Sequence, residues 1–90
     1  MLRKIRSAYP VKDYHLILEF DNGEYKVVDL RQFLKGPVFE PLKDPSYFKQ
    51  VKVDHEAGMV TWPNGADLDP DVLYNRSFPL RLPGEDIAQG

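Results

Sequence analysis

Cysteine is missing from all 90 residues. Its absence removes disulfide staples, thiolate ligands for zinc or iron–sulfur clusters, and the cysteine nucleophile. Long apolar runs are missing too. The longest purely aliphatic stretch is Leu16-Ile17-Leu18, far short of the roughly 18 residues that span a bilayer, so no membrane segment is expected. The start, Met1 to Arg6, is basic but runs into Ser7, Ala8, Tyr9 and Pro10 instead of the apolar core of a secretory signal, which makes the cytoplasm the expected compartment. Nor is there an excess of positive charge. The 12 Lys and Arg against 14 Asp and Glu give a net charge of −2 and a pI near 5.6, unlike the basic balance that draws small proteins to nucleic acid.

Chemistry-bearing patterns are equally scarce. The 6 glycines are scattered with no Gly-x-Gly, so no phosphate cradle is indicated. His15 and His55 lie far apart in the chain, neither with a second ligand at metal spacing, and both read as surface histidines. The hydroxyls of Ser7, Ser46, Thr61 and Ser77 sit outside any Gly-x-Ser-x-Gly setting. No catalytic residue, metal or cofactor is assigned, and an enzyme is the least favoured class.

What is present is the patterning of one small domain, about 64% of whose extended surface is buried on folding. Ile5 to Pro10 reads as a strand that ends near the proline. From Tyr14 to Phe20, Leu16, Leu18 and Phe20 share one face while His15, Ile17 and Glu19 share the other, the mark of a half-buried strand. Asn22-Gly23 then signals a hairpin, because both residues tolerate positive φ, and Glu24 to Asp29 is the returning strand. At Leu30, Phe33 and Leu34 the spacing becomes helical and Gly36-Pro37 stops it. Asp29 is the expected N-cap, with Gln32 as capping-box partner.

The same start signal recurs twice. Asp44-Pro45 and Asp69-Pro70 each set a capping carboxylate before a proline at the first helical position, where a missing N–H costs nothing. Helices are expected over Pro45 to Phe48 and Pro70 to Asn75. Between them Val51 and Val53 lie on a strand, His55 to Gly58 turns, and Met59 to Trp62 returns to end at Pro63-Asn64-Gly65. The expected fold is α+β: a small meandering antiparallel sheet of about five strands, built from two hairpins, with two or three short helices on one face. Residues 1–78 form the domain and 79–90 a polar, partly ordered tail.

Candidate function concentrates in the stretch from Trp62 to Tyr74. Trp62, Asn64, Asp67 and Tyr74 combine aromatic anchors with an amide and a carboxylate, a composition suited to a partner-binding surface. Core filling competes for Trp62 and is the stronger reading, and Asn64-Gly65 also suits a plain turn. Asp67, Asp69 and Asp71 have the spacing that opens a calcium loop. The sixth loop position is Val72 where glycine is required, and the twelfth is Phe78 where a glutamate is required, so helix-start chemistry is preferred. Arg3, Lys4 and Arg6 with Tyr9 make the alternative, a minimal single-strand nucleic-acid contact, against which stands the reading of a charged edge strand.

Several of these segments together resemble the bacterial domain of unknown function 2442 family. The resemblance is carried by Phe20-Asp21-Asn22-Gly23-Glu24, Asp29, the Leu42/Phe48/Val51 stretch and, most specifically, Val60-Thr61-Trp62-Pro63-Asn64-Gly65-Ala66-Asp67-Leu68-Asp69-Pro70-Asp71-Val72-Leu73-Tyr74, and covers residues 5 to 78. It implies a small α+β bacterial protein without an established activity, sometimes joined to a helix-turn-helix and often encoded beside another small protein. That neighbour is the partner the resemblance implies, with a regulatory or antitoxin-like role for the chain. Too little chain follows Phe78 for a helix-turn-helix, so reading of a major groove is not expected. The resulting expectation is a non-enzymatic interaction module, with a nucleic-acid-associated regulator as the alternative.

Overall fold

The computed structural model describes residues 3–80. Three strands open the chain: β1 (Ile5–Val11), β2 (His15–Phe20) and β3 (Tyr25–Asp29). A single turn of 3-10 helix at Leu30–Phe33 and another at Glu40–Lys43 lead into α1 (Pro45–Phe48). Then come β4 (Lys52–Asp54), β5 (Met59–Thr61), β6 (Asp67–Leu68), α2 (Pro70–Arg76) and β7 (Phe78–Pro79).

The strands form two antiparallel sheets, one in the order β1-β2-β3-β7 and one in the order β4-β5-β6. This corrects the single meander of about five strands. The α+β class and the two hairpins stand, but β6 and β7 are added. Each has only two residues, and each lies where the sequence reads otherwise: β6 amid turn chemistry, β7 across a proline. Proline is tolerated there because β7 is an edge strand, whose outward N–H would have no ladder partner. The helices also do not lie side by side as one layer, although both bury side chains in the same core. α2 lies against β3 near the β2–β3 turn, whereas α1 meets Tyr14 at the opposite, β1–β2 end, its Phe48 ring edge-on to the tyrosine with centroids 5.5 Å apart.

The caps form as the residues dictate. Asp29 accepts from the Arg31 N–H at 2.9 Å, Asp44 from Ser46 at 3.0 Å and Asp69 from Asp71 at 3.0 Å. Gln32 differs from the capping-box expectation, since its amide donates to the Asp29 carbonyl at 3.1 Å. α2 runs one residue past the expected end. Asp69→Ala should cost about 1 kcal/mol through loss of the cap, read as a fall of about 5 °C in thermal midpoint; an unchanged midpoint would show that Pro70 alone sets the helix start.

The core lies between the inner faces of the two sheets. Leu16, Leu18 and Phe20 of β2 and Val28 of β3 are fully covered, as are Val60 of β5, Leu42 and Leu73. One polar side chain joins this face: Lys26 on β3 is 8% exposed. The sheets meet where the start of β1 crosses the β4–β5 turn, with the Ile5 N–H donating to the Gly58 carbonyl at 2.9 Å. Contact there is so close that an added Cβ on Gly58 would stand 2.6 Å from the Lys4 Cβ, and the glycine has φ +71.

Beyond this junction β1 continues as an outer edge, with an irregular register between Ile5 and Ser7. The ladder at the other edge runs through Pro79, and the Leu80 N–H donates to the Tyr25 carbonyl at 2.9 Å. Both residues belong to the stretch read as tail, the rest of which, 81–90, lies outside the described residues. None of the described helices is long and apolar enough to cross a membrane.

Candidate functional site

The four residues singled out between Trp62 and Tyr74 do not form one surface. Trp62 is 2% exposed, and its indole N–H donates to the Phe48 carbonyl at 3.0 Å. It is core, so it offers no edge to a partner. Asn64 is exposed at its turn, yet its amide donates to the Val38 carbonyl at 2.8 Å and its oxygen accepts from the Ala66 N–H at 3.1 Å. Both ends of that side chain hold the turn. Asp67 is exposed on β6, paired in register with Thr61.

Tyr74, on α2, is half-buried and belongs to a different cluster. Its ring stands edge-on to Phe20 with centroids 5.0 Å apart. The Lys26 Nζ lies 3.8 Å from the ring centroid and donates to the Tyr74 carbonyl at 2.8 Å, while the Arg3 guanidinium carbon lies 4.8 Å from the same centroid. The Tyr74 hydroxyl donates to Glu24, which is thereby held below the usual carboxylate range while the phenol is held above its own. The π-face and the carbonyl together explain how a lysine survives on the core side of β3: they replace the water it gives up.

The basic start does not gather into a phosphate-binding groove. Arg3 is spent on this cluster: its N–H donates to Asp71 at 2.8 Å and its guanidinium to Asp21 at 3.4 Å. The hollow beside it is lined by Arg3 and Lys4 but also by Asp69 and Asp71, and such mixed charge does not attract a phosphate chain. Arg6 is exposed at the irregular step of β1. Asp69 and Asp71 are aimed at helix N–H and Arg3 N–H groups respectively. Among the described residues no group of three or more His, Asp or Glu is placed to hold a metal ion.

The register brings together a surface that the sequence reading missed. Paired residues in a ladder share a face. Tyr9 pairs with Ile17, Ile17 with Val27, and Val27 with Phe78. These four make an apolar row across the whole outer face of the four-stranded sheet. In the next row Ser7 pairs with Glu19, and Glu19 with Tyr25. Tyr9 is 51% exposed, Tyr25 44% and Phe78 72%, while Ile17 and Val27 between them are half-buried and form the floor.

Charges border this floor. Glu19 accepts from the Ser7 hydroxyl at 2.9 Å, and its negative charge is the chief reason the Tyr25 phenol is held above its ordinary range. At the far end Asp29 is bonded by the Arg31 guanidinium at distances from 2.8 to 3.1 Å, which holds its carboxyl at about 2. Two signals for this face were readable. The alternation of β2 puts Ile17 and Glu19 opposite the core residues, and Tyr25 alternates likewise on β3. Phe78 carried none, because only the distant pairing with Val27 places it.

A family model described as "Protein of unknown function (DUF2442)" matches residues 5–79 of the chain. No curated protein and no solved structure matched it.

Proposed function

Starting from a chain that belongs to the DUF2442 family of proteins of unknown function, we propose that it is a non-catalytic protein-interaction module whose partner surface is the outer face of the β1-β2-β3-β7 sheet. The observation that carries this reading is the exposure of Tyr9, Tyr25 and Phe78 around one aliphatic floor. Single exposed apolar residues are ordinary on any protein. Three large aromatics made contiguous by strand register are a different case, because aromatic side chains are enriched in interfaces and dominate their binding energy. The β1–β2 and β2–β3 hairpins hold Tyr9 and Tyr25 in place before any partner arrives, so little ordering entropy is lost on docking there. A cytoplasmic, regulatory and antitoxin-like use, with a small neighbouring protein as partner, is the finer form of the same proposal.

Site-specific photo-cross-linking tests it in the cell that makes the protein. A photoreactive phenylalanine placed at Tyr9, Tyr25 or Phe78 should yield one discrete adduct, and the same group at Asn64 or Asp67 should yield none. An adduct from Asn64 or Asp67 with none from the sheet would move the partner site back to the loop. Absence of discrete adducts from every position would remove the interaction reading altogether.

A further inference from the structure

We infer that the outer sheet face docks a partner protein by taking one of its basic side chains, an arginine or a lysine, between Tyr9 and Tyr25 and onto Glu19, with the partner's flanking apolar residues on Ile17, Val27 and Phe78. This rests on the reading of that face as a partner surface and names the chemistry it selects. Tyr25 lies directly across from Glu19, and Tyr9 lies diagonal to it on the other neighbouring strand, so the carboxylate sits between two phenol rings within side-chain reach. A cation placed there gains a carboxylate partner and the faces of two aromatic rings at once. Glu19 pairs with no cation among the described residues, whereas Asp21, Asp29 and Glu40 each do. Its side chain accepts from the Ser7 hydroxyl and lies against the Tyr25 phenol, both neutral groups, which leaves its charge and further lone pairs for an incoming N–H.

Other occupants fit less well. Strand addition needs an open edge, and both edge strands of this sheet carry a proline, Pro10 in β1 and Pro79 in β7, a device that blunts pairing. A second copy would bring another Glu19 to an already acidic protein. Four strands about 4.8 Å apart and five residues rising about 3.3 Å each give a footprint of roughly 300 Å². That is well under the roughly 800 Å² per partner of a stable interface whatever the occupant, so area alone holds nothing here. A nucleic-acid strand would stack on the aromatics but would bring its phosphates against Glu19. A small footprint of this kind needs one strongly directional anchor, and a basic side chain on a carboxylate flanked by tyrosines is such an anchor.

The test uses a seven-residue peptide with one arginine flanked by leucine and valine, its citrulline counterpart, which keeps the shape without the charge, and a single-stranded oligonucleotide. Each is titrated into the isotope-labelled full chain and read by amide chemical shifts. The arginine peptide should bind with shifts confined to β1, β2 and β3 around Tyr9, Glu19 and Tyr25, about tenfold more tightly than the citrulline peptide. Glu19→Gln, with an unchanged thermal midpoint, should abolish that difference. Equal affinity for the two peptides, shifts centred elsewhere, no binding at millimolar peptide, or tighter binding of the oligonucleotide to this face would each overturn the inference. Cross-linking separates the two levels. If a Glu19→Gln chain bearing the photoreactive group at Phe78 still forms its adduct in full, the face is a partner surface but the basic anchor is wrong; if the wild-type face forms no adduct, the reading beneath it has failed.

Discussion

Gly58→Ala should lower the stability of the domain by about 3 kcal/mol, a fall of roughly 15 °C in thermal midpoint. Two independent costs combine. The residue has φ +71, where a Cβ costs an L-residue about 1 to 2 kcal/mol. The added methyl would also stand 2.6 Å from the Lys4 Cβ and 2.8 Å from its Cα. The end of a lysine side chain could swing away, but a backbone carbon cannot, so β1 must move off the β4–β5 turn. Movement there breaks the bond from Ile5 to the Gly58 carbonyl and uncovers Ile5, which is 2% exposed. Overpacking of a junction typically adds 1–3 kcal/mol, and in a domain this size each kcal/mol is worth about 5 °C. Gly23→Ala is the control, because its φ is +88 and nothing lies within 4 Å of the added carbon. It should show the backbone cost alone, and equal losses at the two sites would mean that the contact with Lys4 relaxes freely.

Tyr74→Ala should be the next most damaging change, lowering the thermal midpoint by about 10 to 15 °C, as truncation of a packed aromatic does. The sign of a second substitution makes this more than a cavity effect. With the ring gone, the Lys26 ammonium keeps the Tyr74 carbonyl but loses the π-face beneath it, and a partly desolvated cation is left on the core side of β3. Lys26→Met alone removes a charge-assisted bond and should destabilise. In the Tyr74→Ala background it removes a cation that has lost its π-face and should restore several degrees. Thermal melts of the wild type, both single variants and the double variant decide it. Additive losses would mean that Lys26 rests on the carbonyl alone. Tyr74 thereby ties α2 to the sheet through Lys26 and Phe20.

Much of the local structure was legible because its causes are local. A carboxylate before proline caps a helix wherever it occurs, and Asp44 and Asp69 do so here. Asn22-Gly23 closes its hairpin, with Gly23 at φ +88, and the burial of Leu16, Leu18 and Phe20 follows from period-two alternation. What the sequence could not show depends on residues far apart in the chain. Lys26 occupies a core position because Tyr74 and its carbonyl arrive from α2, and no pattern within β3 announces that. The second sheet gains its third strand because β6 pairs back onto β5, so two residues inside a turn-like stretch become a strand. The residues grouped as a candidate site part company for the same reason. Aromatic and polar residues close in sequence, Trp62 to Tyr74, diverge into core, turn and helix, whereas Tyr9, Tyr25 and Phe78 converge only through strand order.

That convergence is not equally secure along the sheet. Tyr9 and Tyr25 are held by hairpins whose strands are neighbours in sequence, and such pairs close within microseconds. Phe78 is held by two ladder positions, Lys26 with Pro79 and Val27 with Phe78, after the entire second sheet and α2 have intervened. Closing so long a loop for so few bonds leaves this strand among the segments that open while the rest stays folded. Phe78 should therefore be the first of the three rings to leave the face, with Tyr9 and Tyr25 still in place. A ligand that covers Phe78 draws free energy from its own binding to keep β7 in place, so affinity for the face and local stability of the last strand rise and fall together.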